Sequence, residues 1–115
     1  MFTDIYKHLK NNNVNVYSIG QHEGFCEIPY IVVRERGTSE IAGTSLVNDM
    51  VELLIYYPIG AYSKLSEYKN HIKGIMKLRK DFRRVIESSP TVIDDDKKAY
   101  MTSFTYRKIK TREGA

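Results

Sequence analysis

The clearest hydrophobic periodicity lies between residues 63 and 80, where apolar side chains recur at helical intervals. Ser63 precedes this stretch and is a suitable N-cap. The pattern therefore predicts an amphipathic helix, the main helix of the chain. Its apolar stripe consists of Leu65, Tyr68, Ile72, Ile75 and Met76, and Arg79 continues the same face.

A second, shorter helical pattern opens the chain. Phe2, Ile5 and Leu9 recur at helical spacing, and Thr3 or Asp4 can cap the first free backbone N–H groups. Three consecutive asparagines, residues 11–13, follow this pattern. Asparagine competes for local backbone hydrogen bonds and tolerates left-handed conformations, so we expect the helix to end there.

The remaining regular segments have the composition or alternation of β-strands. They are residues 15–19, 29–36, 44–57 and 99–110. Residues 20–27 are too polar and too rich in glycine for a regular element, and residues 37–43 predict a long hairpin connection or a mobile arm. The order of elements indicates an α+β fold in a single domain, residues 1–115. We expect an antiparallel or mixed curved sheet of four to five strands, packed against one long amphipathic helix and a short N-terminal helix.

Composition narrows the class of protein. The chain has 115 residues, a formal net charge of +4 and one cysteine. A chain of this length can form one hydrophobic core, and a single cysteine cannot form an intramolecular disulfide. The longest apolar run, residues 51–59, is interrupted by Glu52 and Pro58 and is too short to cross a membrane. The N-terminus lacks the order of a signal peptide, so we expect a soluble chain made in the cytoplasm.

Positive charge is concentrated on the main helix and just after it. Between Ser63 and Arg84 eight basic residues face two acidic ones, an excess of six. The polar face of the helix carries Lys69, Lys73, Lys77 and Lys80. Such a face is usually solvated, but it can also neutralise phosphates, so a small basic nucleic-acid-binding module is one alternative function.

Two clusters allow a second alternative, a small enzyme or metal protein. His22 and Cys26 lie four residues apart in a glycine-containing loop, and residues 94–96 are three consecutive aspartates. A metal site needs more ligands than the first cluster offers, and the aspartates lack the spacing of a calcium loop. No phosphate-binding loop or catalytic signature is found. We therefore predict no catalytic residues, no metal and no cofactor.

The order of short motifs along most of the chain resembles the tail-completion proteins of long-tailed phages and prophages, also called tail-terminator or head-tail joining proteins. The similarity is centred on residues 20–39 and continues through a "YYP" element, the main helix and the last strand. The matching positions are Val16-Tyr17, Gly20, Gly24, Cys26, Pro29-Tyr30, Val32-Val33, Gly37-Thr38-Ser39, Tyr56-Tyr57-Pro58, Tyr62-Ser63, Leu65, Tyr68, Ile72-Lys73, Met76, Leu78, Asp95-Asp96, Lys98-Ala99-Tyr100, Ser103 and Tyr106.

This resemblance implies a non-enzymatic structural protein of the virion, made in the bacterial host cytoplasm. It implies a homo-oligomeric ring of six copies at the head-proximal end of the tail, which ends polymerisation of the tail-tube protein and presents a surface to the head connector. In the family the connection equivalent to residues 37–43 reaches a neighbouring subunit or the tube. Thr38, Ser39, Glu40 and Ile41 are therefore interface candidates, while Lys69, Lys73, Lys77 and Lys80 would line a DNA channel or meet a partner.

Overall fold

The computed structural model describes residues 2–21, 24–40, 43, 45–60, 62–85 and 90–111. Within these ranges the chain forms two α-helices and six β-strands. In chain order they are α1 (Phe2–Asn11), β1 (Val16–Ser18), β2 (Tyr30–Glu40), β3 (Leu46–Pro58), α2 (Tyr62–Lys77), β4 (Arg83–Arg84), β5 (Val92–Asp94) and β6 (Ala99–Thr111).

The strands form one mixed sheet in the order β1-β2-β3-β6-β4, and β5 pairs with the start of β6. β1 runs parallel to β2, whereas every other pair is antiparallel. The α+β class and the mixed sheet are confirmed. The predicted number of four to five strands is too low, because β4 and β5 are only two and three residues long and are defined by their pairing with β6.

The main hydrophobic core lies on one face of the sheet, beneath the two helices, and a smaller buried cluster of Cys26, Tyr30 and Ala99 lies on the other face. The sheet contributes alternate residues of its long strands, such as Leu53 and Phe104, as expected for a half-buried sheet. α1 adds Ile5 and Leu9, and α2 adds four residues of its predicted stripe. Those four are Leu65, Ile72, Ile75 and Met76.

Local backbone chemistry sets the ends of the helices. α1 ends at Asn11, and Asn13 has a left-handed φ of 62°, so the asparagine run terminates the helix as predicted. α2 corresponds to the predicted 63–80 helix but begins at Tyr62 and ends at Lys77. Ser63 is thus inside the helix and is not its N-cap, and Lys80 lies beyond its end.

The end of β2 differs most from the prediction. Residues 37–40 were expected in a connection, but β2 continues to Glu40, which pairs with Val47. A bulge between Glu35 and Gly37 makes this continuation possible, since Gly37 has a φ of +88° that other residues rarely adopt. The glycine therefore bends a strand instead of ending it.

The long strands extend well beyond the helices. A 13-residue strand such as β3 spans about 43 Å, close to the 49 Å long axis of the molecule. The 16 residues of α2 span only about 24 Å. Among the described residues, the main core cluster includes no β3 residue before Val51, although Val47 is also buried. We name the strand segments beyond the core, residues 34–40, 46–50 and 107–111, the arm.

Candidate interaction surfaces

The outer edge of β2 is open along the arm. β1 covers this edge only opposite Ile31, Val32 and Val33. From Arg34 to Glu40, no strand in the described part of the chain pairs with β2 on the side away from β3. An open strand edge presents backbone N–H and C=O groups that another strand can bind.

The direction of the backbone groups along this edge follows from one hydrogen bond. The N–H of Ile31 donates to the carbonyl of Asn15, just before β1, at 2.9 Å. Backbone groups of alternate strand residues point the same way, so the N–H groups of Val33 and Glu35 also face outward from β3. Glu35 thus presents an N–H group at the start of the open edge.

Three of the four interface candidates lie on this edge. Thr38, Ser39 and Glu40 are the last residues of β2 and pair with β3 on their other side. The fourth, Ile41, lies outside the described residues. The structure therefore places the first three in a strand of the arm, where the sequence analysis expected a connection.

Charges at the start of the open edge limit indiscriminate pairing. Arg34, Glu35 and Arg36 are exposed, and the bulge bends the edge next to them. Arg34 forms an ion pair with the buried Glu52 of β3. Charged side chains and bulges are features by which edge strands avoid indiscriminate pairing, and both are present at the start of this edge.

The sheet face opposite the helices carries a second, apolar surface. Tyr30 stacks on Tyr56 with ring centroids 4.7 Å apart, and burial raises the pKa of Tyr30 well above its usual value. Beside this pair is a hollow of about 250 Å³, and Phe25 and Ile28 nearby in sequence are each 61% exposed. The hollow is lined by Ile19, Gly20, Tyr30, Val32, Arg34, Leu54, Tyr56 and Lys97.

Positive charge is gathered in a groove between α2 and the β4 edge of the sheet. The groove has a volume of about 420 Å³, and its lining contains three cations and no carboxylate. We name it the basic groove. It is lined by Lys73, Met76, Lys77, Phe82, Arg84 and Tyr106.

Cations also meet over one buried aromatic ring beside the groove. The Lys73 Nζ atom lies 5.1 Å from the centroid of Phe104, and Lys69 Nζ lies 5.9 Å from it. The Arg84 guanidinium carbon lies 6.0 Å from the same centroid. These are cation–π distances, and Phe104 itself is only 2% exposed. The two lysines thus cover the core as well as carrying charge.

The proximity of these cations is seen in the electrostatics of Lys73. Partial burial lowers the pKa of its ammonium group, and the positive charges of Arg84, Lys69 and Lys77 lower it further. The carboxylate of Asp81 already forms ion pairs with two other cations. Its Oδ2 atom lies 2.8 Å from Arg79 Nη2 and 3.4 Å from Lys108 Nζ. The groove is therefore a site where cations repel one another and an added anion would relieve that repulsion.

The structure brings together only part of the predicted basic face. Lys69, Lys73 and Lys77 lie along α2 beside the groove, whereas Lys80 lines a neighbouring hollow with Asp81, Arg83, Arg107 and Lys108. Arg84 belongs to the predicted charge excess, but the sequence pattern does not predict its place in the groove. It comes from the pairing of β4 with β6, for which the local sequence carries no signal.

The two possible catalytic or metal clusters have structural explanations where the structure describes them. Cys26 is buried, donates a hydrogen bond to the carbonyl of Ile28, and has a thiol pKa raised by burial to about 11. His22 lies outside the described residues. Asp94 accepts hydrogen bonds from the backbone N–H groups of Asp96 and Lys97, which fixes the turn before β6. Within the described ranges, no group of three or more potential ligands could hold a metal.

No protein-family model matches the sequence, and no curated protein is significantly similar to it. Neither helix in the described part of the chain is both long and apolar enough to cross a lipid bilayer.

Proposed function

We propose that this chain is a non-enzymatic assembly protein whose copies associate through the arm into a closed ring. In this proposal the ring has six copies, sits at the head-proximal end of a phage tail in the virion, and prevents addition of the next layer of tail-tube protein. The opposite side of the ring receives the head connector. The observation that carries the proposal is the open edge of β2 from Arg34 to Glu40.

A ring requires a heterologous contact, in which one surface of a subunit meets a different surface of the next. The arm offers two different edges. One is the open edge of β2, and the other is residues 108–111 of β6, beyond the positions that pair with β4. Strand addition at such edges supplies backbone hydrogen bonds without requiring a deep pocket.

The apolar face of the sheet supports the same proposal. Exposed Phe25 and Ile28, together with the tyrosine-lined hollow, provide apolar area next to the arm-bearing strands. Tyrosine is enriched in interfaces because it combines apolar area with a polar tip. A neighbouring subunit that pairs with the arm would have this face available for further contact. The resemblance to tail-completion proteins is the separate reason for naming a tail ring.

The test replaces one backbone donor on the open edge. Proline at position 35 removes the outward N–H, and edge strands tolerate proline because that group has no partner within the sheet. We expect Glu35→Pro to keep the wild-type circular dichroism spectrum and to sediment as a monomer at concentrations where the wild-type chain is oligomeric. Glu35→Thr, which keeps the N–H and favours a strand, is the matched control and should remain oligomeric.

Two results would contradict the proposed contact. One is a Glu35→Pro chain that is folded and still forms the wild-type oligomer. The other is loss of the oligomer in Glu35→Thr as well, which would assign the effect to the glutamate side chain and not to the strand edge.

A further inference from the structure

The geometry points to a second activity: we propose that the basic groove binds the phosphodiester backbone of nucleic acid, without sequence preference. The site consists of Lys73, Lys77 and Arg84, with Lys69 beside it. The lining of the groove itself includes no residue of the arm, whereas the neighbouring hollow shares Arg107 and Lys108 with it.

The arrangement of the cations favours an evenly charged polymer. Lys69, Lys73 and Lys77 are spaced one helical turn apart, which places them about 6 Å from one another along the α2 axis. The neighbouring hollow, lined in part by Lys108, adds further cations. The Lys108 Nζ atom lies 5.6 Å from the centroid of the Phe82 ring, which lines the groove. Positive charge thus continues from one hollow to the next, as contact with several phosphates requires.

The chemistry of the groove favours backbone contacts over base recognition. Its lining includes no asparagine, glutamine or carboxylate to read an adenine or cytosine edge, and its cations can bind phosphate whatever the base. Phe82 and Tyr106 are buried, so neither ring is available as a stacking platform. We therefore expect similar affinity for different sequences and no requirement for unpaired bases.

An acidic protein segment is the alternative occupant. Arginine forks bind carboxylates and phosphates alike, so the residue types do not separate the two occupants. The evenly spaced cations, which continue into the neighbouring hollow, match a polymer with a charge on every unit. Lys73 is partly buried among three other cations. A polymer that carries a row of anions would therefore reduce the repulsion at each of these four positive charges.

The experiment measures binding of the full chain to fluorescein-labelled oligonucleotides by fluorescence anisotropy over a series of salt concentrations. Lys77→Glu with Arg84→Glu is the test variant, because both side chains are exposed and their replacement should leave the fold intact. Lys7→Glu with Lys64→Glu is the control, because both side chains are exposed and neither lines the groove. Each double variant lowers the formal net charge by four, from +4 to zero.

We expect the groove variant to lose two phosphate contacts. On duplex DNA each contact contributes about 0.9 to the slope of log affinity against log salt concentration. Two contacts therefore raise the affinity on the order of 60-fold when salt is lowered from 1 M to 0.1 M. The groove variant should bind on the order of 60-fold more weakly at 0.1 M salt with a slope smaller by about 2. The control should stay close to wild type. Single-stranded probes should rank the variants in the same order, with a slope smaller by about 1.4, because a contact contributes about 0.7 on a single strand.

Three results would overturn the proposal. The first is no binding by the wild-type chain at low salt, and the second is an equal loss in the control variant, which would show an effect of net charge alone. The third is tight binding of labelled poly-glutamate with no binding of either oligonucleotide, which would assign the groove to an acidic protein segment.

Discussion

Replacement of Ile72 by alanine tests how α2 sits on the sheet, and the position of the basic groove depends on that orientation. Ile72 is completely buried, belongs to the main core cluster and lies between Lys69 and Lys73 in sequence. If Ile72 faces the sheet, Lys69 and Lys73 must both lie on one flank of α2, and both are found over the Phe104 ring.

The expected cost follows from the size of the buried group. The change removes about three methyl or methylene groups, each worth about 0.8 kcal/mol, so the transfer contribution is about 2.5 kcal/mol. The cavity left behind raises the total to about 3–4 kcal/mol, within the usual range for such changes. For a domain of this size that corresponds to a loss of about 12–16 °C in melting temperature.

Urea unfolding followed by circular dichroism measures this difference, at concentrations low enough that association does not add stability. Ile93→Ala is the matched control, since this side chain is 57% exposed and its loss should cost less than about 0.5 kcal/mol. Ile72→Asp should unfold the chain altogether, because it buries an unpaired carboxylate. A loss below about 1 kcal/mol in Ile72→Ala would refute the orientation of α2.

Two further predictions concern titrating groups. Arg79 lowers the pKa of Asp81 to about 2 from its ordinary 3.8, so this carboxylate stabilises the fold above pH 4 and the contribution is lost as pH falls from 4 to 2. Urea unfolding at several pH values should show a smaller fall over that window in Asp81→Asn, and an unchanged fall would contradict the assignment. Burial raises the pKa of the Cys26 thiol to about 11, so a thiol reagent near pH 8 should react far more slowly with the folded chain than with the urea-unfolded chain. Equal rates would show that the thiol is accessible.

The elements that were predicted well are those in which burial of one face requires apolar residues at regular intervals along the sequence. The stripe through Leu65 and Ile72 repeats every three to four residues because one side of α2 faces the sheet. The alternation through Val51, Leu53 and Ile55 arises because only one face of β3 is covered by helices. In both cases the local spacing of apolar residues shows which face of the element packs in the core.

The features that were missed depend on pairing with another strand. β4 contains only Arg83 and Arg84, whose strand conformation comes from pairing with Arg107 and Tyr106. The continuation of β2 past Gly37 depends on β3 across the hairpin, so glycine alone indicated a turn when the structure uses it for a bulge. Only part of the basic groove was predicted, for the same reason. Its lysines follow the helical period of α2, whereas Arg84 is placed in the groove by the pairing of β4 with β6.

The measurement that tests the central proposal most directly is native mass spectrometry of the wild-type chain over a concentration series. The proposed ring predicts one closed oligomer of six copies, and the Glu35→Pro variant should give only the monomer under the same conditions. A wild-type chain that remains monomeric throughout, or that forms an open-ended ladder of oligomers, would contradict a closed ring built on the strand edges of the arm.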